Sequence, residues 1–127
     1  MPGFTVANLK EVEASTSAPP GLEARVAREQ LGSEHLGVSY FHYGPGVRTP
    51  FGHSHGEQEE AYVVLAGSGR AKLDEEIVEL RRWDILRIGP GVMRAVEGGP
   101  EGLTLIAIGS DRNEDEEVRA DEGFWVG

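Results

Sequence analysis

From Leu36 to Ile108 the chain is a succession of short apolar-rich runs, each closed by glycine, proline or an acidic turn, and that punctuation excludes long helices. The runs are 36–43 (LGVSYFHY), 61–66 (AYVVLA), 70–73, 77–80, 84–88, 92–96 and 103–108, rich in β-branched and aromatic residues. Turn signals recur every ~8–12 residues, the spacing of an antiparallel sandwich or barrel. Alternation along 60–65 puts Glu60, Tyr62 and Val64 on one face and Ala61, Val63 and Leu65 on the other. With the N-terminal runs included, about eight short strands are expected and the fold class is all-β. No internal repeat is visible.

Outside this series the pattern weakens. Residues 4–12 (FTVANLKEV) suit a short edge strand, and 13–21 (EASTSAPPG) form a loop. Residues 22–30 (LEARVAREQ) fit either a strand or a helical turn. Turns are expected at Pro45–Gly46, at Gly67 and Gly69, over Asp74–Glu76, at Gly89–Gly91, and over 97–102 (EGGPEG).

A chain of 127 residues with 39% hydrophobic content suits one domain with one core. It divides into an N-terminal part (1–35), a barrel core of about 36–109, and an acidic end (110–127). With no cysteine there is no disulfide framework, thiolate metal site or cysteine nucleophile. The N-terminus lacks the basic and apolar regions of a signal peptide, and no apolar stretch is long enough for a membrane helix, so a cytoplasmic protein is expected. The net charge of −10 argues against nucleic acid and anionic membranes as partners. Half of that charge lies between Asp111 and Glu122, where a solvated terminal segment is expected in preference to an interaction tail.

The stretch most suggestive of chemistry is 53–67, HSHGEQEEAYVVLAG. His53 and His55 alternate, so on a strand both imidazoles face one place, and Glu60 follows within reach from the next strand. Two imidazoles and one carboxylate can hold Fe(II), Mn(II), Ni(II) or Zn(II). The alternative is a pair of histidines that are only hydrogen-bonded. His42 could stand in as a further ligand, although a lone strand histidine is more often structural; His35 is read as solvated. Tyr40, Phe41, Tyr62, Trp83 and Met93 are candidates for an apolar pocket lining or for plain core. Gln58 and Glu59 would face inward in place of Glu60 if the register slipped by one. No phosphate loop, nucleotide fingerprint or serine–histidine–aspartate order is present.

These residues resemble the first motif of the cupin superfamily: glycine, His-x-His, glutamate, glycine. His53, His55, Glu60 and Gly67 match its spacing, while Gly46 stands one residue too far upstream. The second cupin motif is degenerate. Its leading glycine falls on Trp83, its proline on Gly89 with Pro90 next, its histidine on Arg94 and its asparagine on Gly98; Gly91 matches. The resemblance implies a jelly-roll barrel (double-stranded β-helix), a homodimer, and a divalent metal on His53, His55 and Glu60 with the fourth ligand lost. It further implies a metal-dependent enzyme, dioxygenase- or isomerase-like, acting on a small anionic metabolite. The alternative is a non-catalytic small-molecule or metal binding module, in which Arg94 replaces the fourth ligand.

Arg94 is central to that choice. An inward guanidinium brings a permanent positive charge toward the metal position, at a cost of several kcal/mol in a low-dielectric interior. Arg94 can pair with Glu60 in a metal-free site, clamp a substrate carboxylate beside a metal, or turn outward. Tyr62 and His42 join it as tentative ligand contacts.

Overall fold

The computed structural model describes residues 3–111 and 115–125. Eight strands form one curled sheet: β1 (Leu22–Val26), β2 (Gly37–Tyr43), β3 (Gly52–His55), β4 (Glu60–Leu73), β5 (Glu76–Arg81), β6 (Ile85–Ile88), β7 (Arg94–Gly109) and β8 (Val118–Asp121). Every pairing is antiparallel. Among the described residues one short α-helix, α1 (Arg28–Leu31), follows β1, so the stretch that fits either a strand or a helical turn is one and then the other. Among the described residues no helix is long and apolar enough to cross a membrane.

The sheet is built on β4 and β7, which pair along nearly their whole lengths. The first half of β4 lies between β6 and the second half of β7, with β2 and β1 beyond. Its second half lies between β5 and the first half of β7, with β3 and β8 beyond. The bend between the halves lets one continuous sheet enclose its own core. Tyr43, Tyr62, Val64, Ile88, Leu103, Leu105 and Ala107 from one half pack with Ala71, Leu80 and Val96 from the other.

Two turns expected from glycine lie inside these strands. The register of β4 against β7 shifts between Val64 and Ala66 and again between Gly67 and Gly69, so the glycines mark bulges. Gly67 has φ +75°, and a Cβ there would strike the Gly102 carbonyl. The EGGPEG segment likewise runs within β7, and Pro100 sits where no ladder pairing forms. The N-terminal edge strand is absent: residues 9–11 form a 3₁₀ turn that seats the buried Val12. Trp83 occupies the place of the motif's leading glycine with φ +76°, a conformation that strains a bulky residue and explains why glycine suits the position.

Over its described residues the acidic stretch is exposed as expected except at Glu116, but it is not detached from the barrel. β8 pairs with β3 in the register His53↔Ala120 and His55↔Val118. Phe124 is 7% exposed and lies over Gly52, where a Cβ would come within 2.6 Å of the ring. Lys72 donates to the Phe124 carbonyl, and the Trp125 indole donates to the Thr49 carbonyl at 3.0 Å. The terminal aromatics thus pack on the barrel.

Candidate functional site

His53 and His55 project from the same face of β3, as alternation requires, with ring centroids 5.1 Å apart in an edge-to-face arrangement. Glu60 reaches them from the start of β4. One ligand atom from each of the three residues lies within 4.8 Å of the others. The backbone fixes this convergence from several sides: β3 is held between β7 and β8, and Gly91 N–H donates to the His55 carbonyl at 2.7 Å. The degenerate second motif therefore still makes a turn that grips the first.

Arg94 points inward. It lies opposite His53 in the β3–β7 pairing and is 1% exposed, which excludes an outward orientation. Its Nη1 donates to Glu60 Oε1 at 3.1 Å and its Nη2 approaches the Gly89 carbonyl at 3.5 Å, while Nε has no partner. A buried guanidinium with an unsatisfied N–H is energetically unfavourable, so the pairing with Glu60 compensates only part of the desolvation.

Two cavities meet at this cluster. A cleft of about 270 Å³ is lined by His53, Glu60, Tyr62, Phe41, Gln58 and Arg28. An inner cavity of about 100 Å³ shares Phe41, His53 and Tyr62 with it and adds Arg94, Tyr43 and Thr49. His53 and Tyr62 thus stand between the two. Burial, reinforced by the negative charge of Glu60, pushes the Tyr62 phenol well above its usual range, so it stays protonated and neutral. The Tyr43 phenol is likewise pushed up, chiefly by burial.

Of the other residues singled out from the sequence, Phe41 and Gln58 line the cleft. His42 does not: on β2 it alternates with Phe41 and Tyr43, and its Nδ1 lies 2.8 Å from Thr104 Oγ1. Glu59 faces Arg87 at 2.7 Å, so the register keeps Glu60 inward. Exposed His35 pairs with Asp111 at 2.7 Å. Tyr40 carries Lys10 over its ring, and Trp83 is 66% exposed.

Sequence reasoning missed two residues of the site. Arg28, in the short helix, lines the cleft and donates to the Leu36 carbonyl at 3.2 Å. Glu116, from the acidic end, has a fully buried side chain 3.2 Å from His55 Nδ1. Its Oε1 accepts from the backbone N–H groups of Glu57 at 2.8 Å and Gln58 at 2.5 Å. Burial acts to raise its carboxyl, but these donors outweigh it and hold it below the usual carboxylate range. The available signal was the apolar content of that segment: Val118, Phe124 and Trp125 among acids.

No family model and no curated protein sequence matches the chain. Solved structures do. A cupin protein from Bacteroides fragilis is 24% identical, aligned over 92% of each chain, with a TM-score of 0.73. A sugar phosphate isomerase of the cupin superfamily from Silicibacter pomeroyi is 19% identical over 87% of this chain and 78% of that one, TM-score 0.74. A polyketide cyclase from Streptomyces resistomycificus is 21% identical over 91% and 84%, TM-score 0.73. At these identities the likeness establishes the fold, a cupin double-stranded β-helix.

Proposed function

We propose that this cupin-fold protein holds one divalent transition metal on His53, His55 and Glu60 and uses it to act on a small anionic metabolite in the adjoining cleft. The observation that carries this reading is the convergence of the three donors, within 4.8 Å of one another, with two of them, His53 and Glu60, lining that cleft. Two neutral imidazoles and one carboxylate form a donor set that first-row divalent metals accept, with coordination positions left for a ligand. Such a metal supplies Lewis acidity to a ligand oxygen bound beside it. The donor set accepts Fe, Mn, Ni or Zn and does not discriminate among them.

The chain's own groups favour an anion. The single negative charge of Glu60 is already shared with Arg94, so a dication adds positive charge that the donor set does not neutralise. Arg28 adds a second guanidinium at the cleft, suited to a carboxylate or phosphate. Tyr62 presents a phenol that stays protonated, and Phe41 gives an apolar wall. Among the fold's relatives an isomerase and a cyclase show that related barrels are enzymes.

A second reading is favoured by one observation: the Arg94–Glu60 pair at 3.1 Å is the arrangement of a metal-free binding module. Elemental analysis decides between them. Chelator-stripped protein, reconstituted with Mn(II), Fe(II), Ni(II) or Zn(II), is expected to take up one ion per chain, and His53→Ala to abolish uptake. Substoichiometric metal that does not increase on reconstitution and is indifferent to His53→Ala overturns the metal reading.

We further propose that the chain is a homodimer. Paired residues Tyr40, Ile106, Val63 and Ile85 form an outward-facing row across β2, β7, β4 and β6, beside a second row of Val38, Ile108, Ala61 and Arg87. Ile85 is 71% exposed and Ile108 39%. A second copy would cover this apolar face and the sheet edge at β6.

A further inference from the structure

We infer that Glu116, brought in by the acidic C-terminal segment, is a positioning residue that sets which ring nitrogen of His55 carries the proton. The inference deepens the metal reading above, but its first readout needs no metal. His55 Nδ1 lies 3.2 Å from Glu116 Oε2, while Nε2 lies 4.0 Å from Glu60 Oε1. Nε2 is therefore the atom turned toward the ligand cluster. A carboxylate only accepts hydrogen bonds, so a neutral His55 must donate its proton from Nδ1, leaving the lone pair of Nε2 free.

The carboxylate is itself fixed, through its other oxygen, by the two backbone N–H groups of Glu57 and Gln58, on the connection that leads from His55 to Glu60. One side chain thus orients His55 and organises the link between two of the three donors. The segment carrying it is anchored by β8 on β3 and by Phe124 over Gly52. A carboxylate behind a histidine in this way fixes its tautomer and orients the ring.

The geometry makes Glu116→Gln a sharp test. The Gln oxygen satisfies the two backbone donors, since the reverse orientation would turn an NH₂ against both N–H groups. That leaves the NH₂ facing His55 Nδ1. The imidazole must then accept at Nδ1 and carry its proton on Nε2, the wrong tautomer for binding a metal. The backbone framework is kept.

The experiment is ¹⁵N NMR of histidine-labelled, metal-free full-length protein, at a pH where His55 is neutral, with calorimetric titration of Mn(II) or Zn(II). In the wild type, Nε2 of His55 is expected to show the shift of an unprotonated nitrogen. In Glu116→Gln the protonated and unprotonated shifts exchange, and metal affinity falls ~10- to 100-fold. Circular dichroism should be unchanged. A wild-type His55 already protonated at Nε2 overturns the inference, even if the variant does not fold. A folded variant with the wild-type tautomer overturns it too. A wild type that has the expected tautomer but binds no metal overturns only the metal reading.

Discussion

Arg94→Met separates what the guanidinium does for the fold from what it does to the site. Nη1 and Oε1 lie 3.1 Å apart, with Arg94 1% and the Glu60 side chain 15% exposed. At an effective dielectric near 20, unit charges at that separation attract by about 5 kcal/mol. The unpartnered Nε and the desolvation of both ions offset much of this attraction. Removing one member of a buried pair typically costs about 3–5 kcal/mol because the other charge is stranded. Glu60 opens on the cleft and can be hydrated there, which brings the expected loss to about 2–3 kcal/mol. For a chain of this length that lowers Tm by about 8–12 °C. Metal affinity should move the other way, because Glu60 is released and a fixed positive charge is removed. Recovering about half of the loss, roughly 1.4 kcal/mol, tightens metal binding about tenfold. The assay is calorimetric titration of chelator-stripped wild type and variant with Zn(II) or Mn(II), paired with melts with and without the ion. The variant should melt lower without metal, and saturating metal should narrow the gap. A folded variant that binds metal no more tightly than the wild type would refute the claim that Arg94 and the metal compete for Glu60.

Two further outcomes are expected. The Glu23 carboxyl is held down to about 2, first by the Lys10 hydrogen bond and then by Arg25. For Glu97, burial acts to raise the carboxyl, but hydrogen bonds from Arg48 and Arg70 prevail and lower it. A depressed carboxylate contributes stability above its unfolded value near 4.5, and that contribution is lost as pH falls through its folded value, about 2 for Glu23. Glu23→Gln and Glu97→Gln should therefore destabilise at neutral pH by an amount that shrinks on acidification, as followed by urea denaturation; a penalty that is constant with pH contradicts the assignment. For the outer face of the sheet, Ile85→Lys replaces a 71% exposed residue and should convert a dimer to a monomer in sedimentation experiments at nearly unchanged Tm. A wild type that sediments as a monomer removes the homodimer proposal.

The alternation in 60–65 put Glu60, Tyr62 and Val64 on one face because strand periodicity is local chemistry, and in the structure that face is the one that carries Tyr62 and Val64 into the core. The His-x-His pair was equally legible, since one intervening residue suffices to align two side chains on a strand. Glycine was less informative. A glycine can close a turn or let a strand bend past another backbone, and the choice at Gly67 depends on the Gly102 carbonyl, contributed from 35 residues later in the chain. The sequence therefore divides β4 and β7 into shorter pieces, and the bend that folds the sheet over its core looks, in sequence, like an interruption.

The acidic end shows where local reading fails for a physical reason. Charge density predicts solvation only while the charges lack partners, and the partners of Glu116 lie on distant parts of the chain: two backbone N–H groups and a histidine more than fifty residues away. Those donors outweigh the penalty of burying a carboxylate and tie an otherwise exposed segment to the ligand cluster at Glu116. The same logic applies to Arg94. From the sequence it was a missing ligand; in the fold it is a buried cation that takes part of the charge of Glu60 and leaves an Nε unpaired. The first motif thus supplies the donors, while Arg94 pairs with one of them, Glu60, and Glu116 with another, His55. Any chemistry of this site depends on those two as much as on the donors themselves.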